Sequence, residues 1–219
     1  MTTFTDIPDT LATNDTVTLL LTAAAILGTV STARLWPYIS RQTRHFFYQP
    51  KSSKVFSQTQ AEAHYQLFLL LFTCLNMTLT AALATEHYET QGLLTLFLAF
   101  TTTLTLKITL YQLTGWTFFE KNRNRDWLSA IVFLTAIEGV ALFPLVLIQI
   151  YHAMPTHSFL TAVAAVVVTV KALTMMKAWN IHFAARQQLA TAIIYFGAFE
   201  TVPLLSLVAI IARTAATQG

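Results

Sequence analysis

The sequence predicts an all-α protein: a polytopic membrane bundle of six transmembrane helices. Its 219 residues are 55% hydrophobic and only 11% charged, whereas a soluble domain carries about 25% charged residues. Apolar runs of the length that crosses ~30 Å of hydrocarbon recur six times along the chain. Basic residues gather in alternate loops, which is typical of multi-pass membrane proteins.

The six predicted spans share an apolar interior and a length near that of one bilayer crossing. They are residues 16–34, 65–84, 92–113, 128–151, 158–177 and 189–212. The predicted organisation is an N-terminal tail at 1–15, a transmembrane domain at 16–212 with a long loop at 35–64, and a C-terminal tail at 213–219. The start of the chain is acidic and lacks the basic region of a signal peptide, so we expect the first apolar run to be retained as a span.

Loop charges predict the orientation. Ten of the 13 basic residues fall in segments 34–64, 114–127 and 177–188. The opposite side carries Asp6, Asp9, Asp15, Glu86 and Glu89, with Arg213 as its basic residue. The positive-inside rule makes the basic side cytoplasmic. We therefore expect both termini to lie on the opposite, extracytoplasmic side of the membrane.

Aromatic residues support the same orientation. The four tryptophans lie at the predicted cytoplasmic ends of spans, where amphipathic rings prefer to sit; they are Trp36, Trp116, Trp127 and Trp179. The long loop contains "RLWPYISRQTRHFFYQP", a mixture of arginine and aromatic residues that favours a segment in the headgroup layer. A solvated loop is the alternative.

An internal repeat relates the last four spans. "LTLKITLYQLTGW" resembles "VTVKALTMMKAW", and "FLTAIEGVALFPLVLI" resembles "YFGAFETVPLLSLVAII". The same spacing, continued backward from Glu200 and Glu138, reaches Asn76 at the centre of the second span. The pattern predicts three helical hairpins of one orientation, related by an axis along the membrane normal. Chance similarity among apolar helices is the alternative.

Glu138 and Glu200 lie near the centres of predicted spans, where a carboxylate costs roughly 2.5–3.5 kcal/mol on insertion scales. Lys107 and Lys171 lie nearer the cytoplasmic ends of the preceding spans. Side chains lean toward the N-terminus of their helix, so acids and lysines lean toward each other. We predict the ion pairs Lys107–Glu138 and Lys171–Glu200, with swapped pairing between hairpins as the alternative.

Two prolines accompany the acids and are candidates for helix kinks. Pro144 frees the carbonyl of Val140, and Pro203 frees that of Phe199, because proline lacks the N–H that would bond to residue i−4. Freed carbonyls within a membrane need water, threonine or a neighbouring helix as partner. The acids and prolines together define a structural ion-pair cluster or, alternatively, a relay for protons or ions or a polar substrate pocket.

Motifs for metal, cofactor or catalytic chemistry are absent from the sequence. His87, His152 and His157 fall near the outer face, where convergence of the loops would make a metal site; solvated histidines are the alternative. The single cysteine, Cys74, excludes an internal disulfide. We expect no cofactor other than bound lipid, and a net charge of +3 gives no indication of nucleic-acid binding.

The C-terminal span resembles a known family. "FGAFETVPLLSLVAII" and "EGVALFPLVLI" are similar to inner-membrane proteins of Bacteroidota that are described as a domain of unknown function. Glu200 with Pro203 matches the Glu-x-x-Pro of the family's last helix, and Gly139 with Pro144 matches a mark of an earlier helix. The resemblance covers roughly residues 65–212. It implies an inner-membrane location and no established activity; a role in secretion would be an analogy by taxonomy.

The function that the sequence favours is a non-enzymatic structural or interaction subunit of a larger membrane complex. Its expected partners are the lipid bilayer and other membrane proteins, or copies of itself. A small transporter or ion-coupled device that uses Glu138 and Glu200 is the alternative. A membrane-lipid enzyme, with the long basic loop presenting substrate, is a second alternative.

Overall fold

The described part of the chain is entirely helical apart from short connections. A computed structural model describes residues 15–47, 60–85, 88–118, 121–152 and 154–182. The five helices within these ranges are α1 (Asp15–Phe47), α2 (Gln60–Thr85), α3 (Thr90–Phe118), α4 (Lys121–His152) and α5 (Thr156–His182). The all-α class is confirmed for these residues. The predicted sixth span, 189–212, lies outside them.

Each of the five helices contains a segment long and apolar enough to cross a membrane. These segments are Asp15–Pro37, Gln66–Thr85, Thr90–Leu113, Trp127–His152 and Thr156–Lys177. They agree with the first five predicted spans to within a few residues and indicate a membrane protein. No strand occurs in the described ranges.

Helix α1 differs most from its predicted bounds. It continues through Pro37 to Phe47, so residues 35–47 of the predicted loop are helical. Hydropathy ends a span where charged residues begin, but the backbone hydrogen bonds of a helix continue as long as the local sequence tolerates them. At the other side of the same loop, α2 begins at Gln60.

Apolar clusters show that consecutive helices run in opposite directions. One cluster joins Val17, Leu83, Ile150 and Phe159, at the start of α1, the end of α2, the end of α4 and the start of α5. Another joins Leu35, Leu69 and Phe133, toward the opposite ends of α1, α2 and α4. The bundle is therefore an up-and-down arrangement in which α2 and α4 run parallel.

Helices α2 and α4 form the centre of the described bundle. Residues are buried over 67% of the apolar segment of α2 and 50% of that of α4, but over only 11% and 17% for α3 and α5. A central helix must be apolar on every side. This arrangement places the middle of α4, which contains Glu138, deep inside the protein.

The two central helices approach closely because Gly139 has no side chain. A β-carbon built on Gly139 would lie 2.9 Å from the α-carbon of Thr73, which is closer than atoms can pack. The Thr73 hydroxyl lies 3.0 Å from the carbonyl oxygen of Leu69 and 3.3 Å from that of Thr135. Small residues that admit a neighbouring backbone are a common means of packing helices in membranes.

Candidate functional site: a buried ion pair between α4 and α5

Glu138 and Lys171 form an ion pair that joins two helices. The Lys171 amine donates to Oε2 of Glu138 across 3.3 Å. The Glu138 side chain is 4% exposed, whereas that of Lys171 is 31% exposed. The carboxylate is thus enclosed by protein, and the lysine reaches it from the side of the bundle.

The turns of α4 on either side of Glu138 also carry buried residues. Leu134 and Leu142, one turn away on either side, are each buried. Removing a carboxylate from water costs several kcal/mol, and a paired charge in a low-dielectric interior offsets part of that cost only when the geometry is good. The side chain of Lys171 therefore decides whether the charge on Glu138 is tolerated.

The observed partner of Glu138 differs from the predicted one. Within-hairpin pairing would join Glu138 to Lys107, but the structure pairs Glu138 with Lys171 of the following hairpin. This is the swapped alternative. The physical reason is helix placement, since α5 packs directly along α4 and delivers its lysine at the depth of the acid.

Lys107 lies on α3 beside an aromatic pair. It is buried, and its amine lies 5.9 Å from the centre of the Tyr111 ring. The Tyr111 ring packs edge-on against Trp127 of α4, with 5.5 Å between ring centres. Cation–π attraction stabilises a desolvated ammonium by up to about 2 kcal/mol, so this aromatic pair supports a positive charge within the apolar segment of α3.

Asn76 is the third polar residue at this level that the sequence singles out. It is fully buried, and its Nδ2 donates to the carbonyl oxygen of Phe72 at 2.9 Å. Its Oδ1 accepts no hydrogen bond from the described residues. Because α2 and α4 run parallel and Thr73 meets Thr135 at an offset of 62 residues, Asn76 lies near the depth of Glu138.

The other predicted site residues are either exposed or outside the described residues. Pro144 is exposed, and α4 continues through it without a break. Glu200 and Pro203 lie outside the described residues. His152 and His157 are exposed, His87 also lies outside the described residues, and the part that the structure describes contains no group of three metal-binding side chains.

Two features of the site are not apparent from hydropathy. In the Thr73–Gly139 contact, nothing in the hydropathy of Thr73 marks it as a contact residue. The 62-residue spacing of the proposed repeat does relate Thr73 to Thr135. The aromatic pair of Tyr111 and Trp127 depends on how α3 turns into α4. Both would require knowledge of which helices are neighbours.

Comparison with known proteins places the chain in a family. No curated protein and no solved structure matches it. A family model described as "Domain of unknown function (DUF4271)" matches residues 17–211, a range that includes all five apolar helices and the predicted sixth. The predicted resemblance to a domain of unknown function is confirmed at this level, and the chain belongs to the DUF4271 family.

Proposed function

We propose that this protein is a non-enzymatic subunit of an inner-membrane complex, a helical scaffold whose buried charges set the packing of its own helices. The observation that carries the structural role is the Glu138–Lys171 pair, because it joins a central helix to a peripheral one. A helix that slipped by one residue, ~1.5 Å along its axis, would weaken this contact. The pair thus favours a single packing register.

Glu200 completes this charge cluster in our proposal. More than five residues from either end of the described apolar segments, the charged side chains are Lys107, Lys171 and Glu138. Charges inside a membrane usually pair and face the bundle interior. Segment 189–212, as a sixth span, brings a second carboxylate, and the swapped pattern already seen for Glu138 assigns Glu200 to Lys107.

In the proposed repeat, the two acids take one common depth. Three in-to-out helices, α2, α4 and the span at 189–212, carry Asn76, Glu138 and Glu200 at corresponding positions. The hydrogen bond between Thr73 and Thr135, at an offset of 62 residues, supports the correspondence of the first two. With the basic loops on the cytoplasmic side, both termini are periplasmic.

A face of α3 supports the scaffold role. Thr95, Leu98, Thr102, Thr105, Thr109, Gln112 and Trp116 are all exposed in the described bundle. They recur at alternating spacings of three and four residues, which places them along one seam of the helix. Small and hydroxyl-bearing residues promote association of membrane helices because they allow close approach and hydrogen bonds. We propose that a partner helix packs on this seam.

The experiment combines purification in mild detergent with mass spectrometry of intact complexes. The expected result is a defined complex for the wild type and its loss in the double variant Thr102→Leu/Thr109→Leu, since leucine fills the seam. Thr161→Leu/Thr169→Leu is the matched control, because both threonines are exposed on α5 and bond to their own helix. A wild-type protein that purifies as a lone monomer would contradict the proposal.

A second candidate, an ion-coupled transporter, is favoured by one observation. The Lys171 side chain is 31% exposed, so the ion pair is not sealed on that side, and intramembrane carboxylates commonly serve proton relays. Glu138→Gln separates the two functions. A transporter loses flux with its protein level unchanged, whereas the scaffold keeps its complex at a lowered stability.

A further inference from the structure

The helices end differently at the two ends of the bundle. We call the end of the bundle that carries Asp15 and Glu89 the acidic end and the opposite one the basic end. At the acidic end, each apolar segment stops at the same residue as its helix; these residues are Asp15, Thr85, Thr90, His152 and Thr156. At the basic end, every described helix continues beyond its apolar segment. The extensions run from Pro37 to Phe47, Gln66 back to Gln60, Leu113 to Phe118, Trp127 back to Lys121, and Lys177 to His182.

The length of these extensions matches the headgroup layer. At ~1.5 Å per residue, the extension of α1 measures about 15 Å and the other four about 8–9 Å. A bilayer has a hydrocarbon core of ~30 Å within a total of ~40–45 Å, which leaves roughly 5–8 Å of headgroups on each side. Four helix ends therefore stop near the outer limit of the headgroups, and α1 rises above it.

The extensions carry an excess of positive charge. Arg41 and Arg44 are on that of α1, and Lys121, Arg123 and Arg125 are on that of α4. The acidic residues on the same described extensions are Glu62 and Asp126. Five cations against two carboxylates, at the depth of lipid phosphates, favour an anionic ligand.

Two exposed tryptophans mark the level where the extensions begin. Trp36 is 64% exposed and Trp116 is 81% exposed. Tryptophan prefers the boundary between headgroups and hydrocarbon.

We propose that the basic extensions of the helices form a binding collar for the headgroups of anionic glycerophospholipids. Arginine suits this ligand, because a planar guanidinium group binds phosphate with two parallel hydrogen bonds. The acyl chains descend past Trp36. The depth of the charges favours lipid over an acidic protein, because most of them lie within the headgroup layer rather than above it.

The test uses the tryptophans as reporters. Full-length protein is reconstituted in vesicles that contain brominated phosphatidylglycerol or brominated phosphatidylcholine, and quenching of tryptophan fluorescence gives the relative binding constant of the two lipids. Each basic residue near an anionic surface strengthens association about fivefold. We expect phosphatidylglycerol to be preferred about three- to tenfold, because the measured value averages over annular positions that lack a basic residue.

The variant Arg41→Ala/Arg44→Ala/Arg123→Ala/Arg125→Ala should reduce the preference to about one. Arg213→Ala is the matched control, because it removes the basic residue of the predicted opposite side, and it should leave the preference unchanged. If the quadruple variant fails to fold, the wild type still tests the proposal, since ~1 M salt should screen the preference. Equal quenching by both lipids in the wild type at low salt would overturn the proposal, and so would a preference for phosphatidylglycerol that persists in the folded quadruple variant. Binding of an acidic protein by a wild type that shows no lipid preference would also overturn it.

Discussion

Glu138 depends on a single described cation for its electrostatic partner. Its side chain is 4% exposed, and Lys171 reaches it at 3.3 Å. An ion pair of this kind contributes little net stability when it forms, but breaking it leaves an uncompensated buried charge. The consequences of mutation should therefore be asymmetric.

Replacing Lys171 by methionine should destabilise the protein by about 2–3 kcal/mol, at the low end for a broken buried pair because the lysine is partly exposed. The double variant Glu138→Gln/Lys171→Met should regain most of this loss, since a neutral amide replaces the stranded carboxylate. Reversible unfolding in mixed micelles with increasing dodecyl sulfate would measure both. A double variant as unstable as Lys171→Met would show that the charges do not interact.

Gly139 is required for the close approach of the two central helices. Gly139→Ala should destabilise the protein by about 1–3 kcal/mol, because the new methyl group meets the backbone of Thr73 and forces the helices apart. Gly28→Ala is the comparison variant, since its new methyl group meets the side chain of Phe72 and no backbone, and a side chain shifts more readily than a helix. The same unfolding assay should show a much smaller effect there, and equal losses at both positions would contradict the argument.

At the level of the helices, α4 combines a buried acid with a proline that leaves the helix continuous. Pro144 removes one backbone hydrogen bond and is exposed at the surface of the bundle. Proline in a helix interior is about 3 kcal/mol less favourable than alanine, although membrane helices recover part of this through neighbouring groups. The free energy that Pro144 costs α4 can therefore be measured by replacing it.

Pro144→Ala should raise the unfolding midpoint, because the new N–H can bond to the carbonyl of Val140. Hydrogen exchange should slow for the amides that follow residue 140. A scaffold should keep its complex in this variant, whereas a transporter that bends at Pro144 should lose turnover despite the gain in stability. Faster exchange along α4 would show that the proline is accommodated without loss of a backbone bond.

At the scale of the whole molecule, alternation of the helices places residues at two opposite faces. Thr43 is exposed on the basic extension of α1, and Ser158 is exposed at the start of α5. Loop charges predict that the first faces the cytoplasm and the second the periplasm. These two positions therefore test the orientation of the bundle.

Single cysteines at positions 43 and 158, in a Cys74→Ala background, should react from opposite sides of the membrane. A membrane-impermeant maleimide added to intact cells should label Ser158→Cys and spare Thr43→Cys, and inverted vesicles should give the reverse. The wild type serves as a control, because its Cys74 is buried and should remain unlabelled in both. Labelling of both positions from one side would refute the up-and-down order.

Composition and the recurrence of apolar runs were sufficient to predict the all-α class of the fold. Five predicted spans agree with the structure because hydrocarbon length and helix rise set a narrow limit on an apolar crossing. The depths of Glu138 and Lys171 could also be estimated, since depth follows from position along a helix. For the same reason, the sequence identified both members of the observed pair as members of a charge cluster.

The choice of partners required the tertiary structure. Lys107 and Lys171 have similar positions in their helices, so sequence alone could not distinguish within-hairpin from swapped pairing for Glu138; the packing of α5 along α4 decided it. The contact of Gly139 with Thr73 likewise depends on α2 and α4 being neighbours. Distance along a chain sets the depth of a residue in a membrane, but only lateral packing decides which side chains meet at that depth.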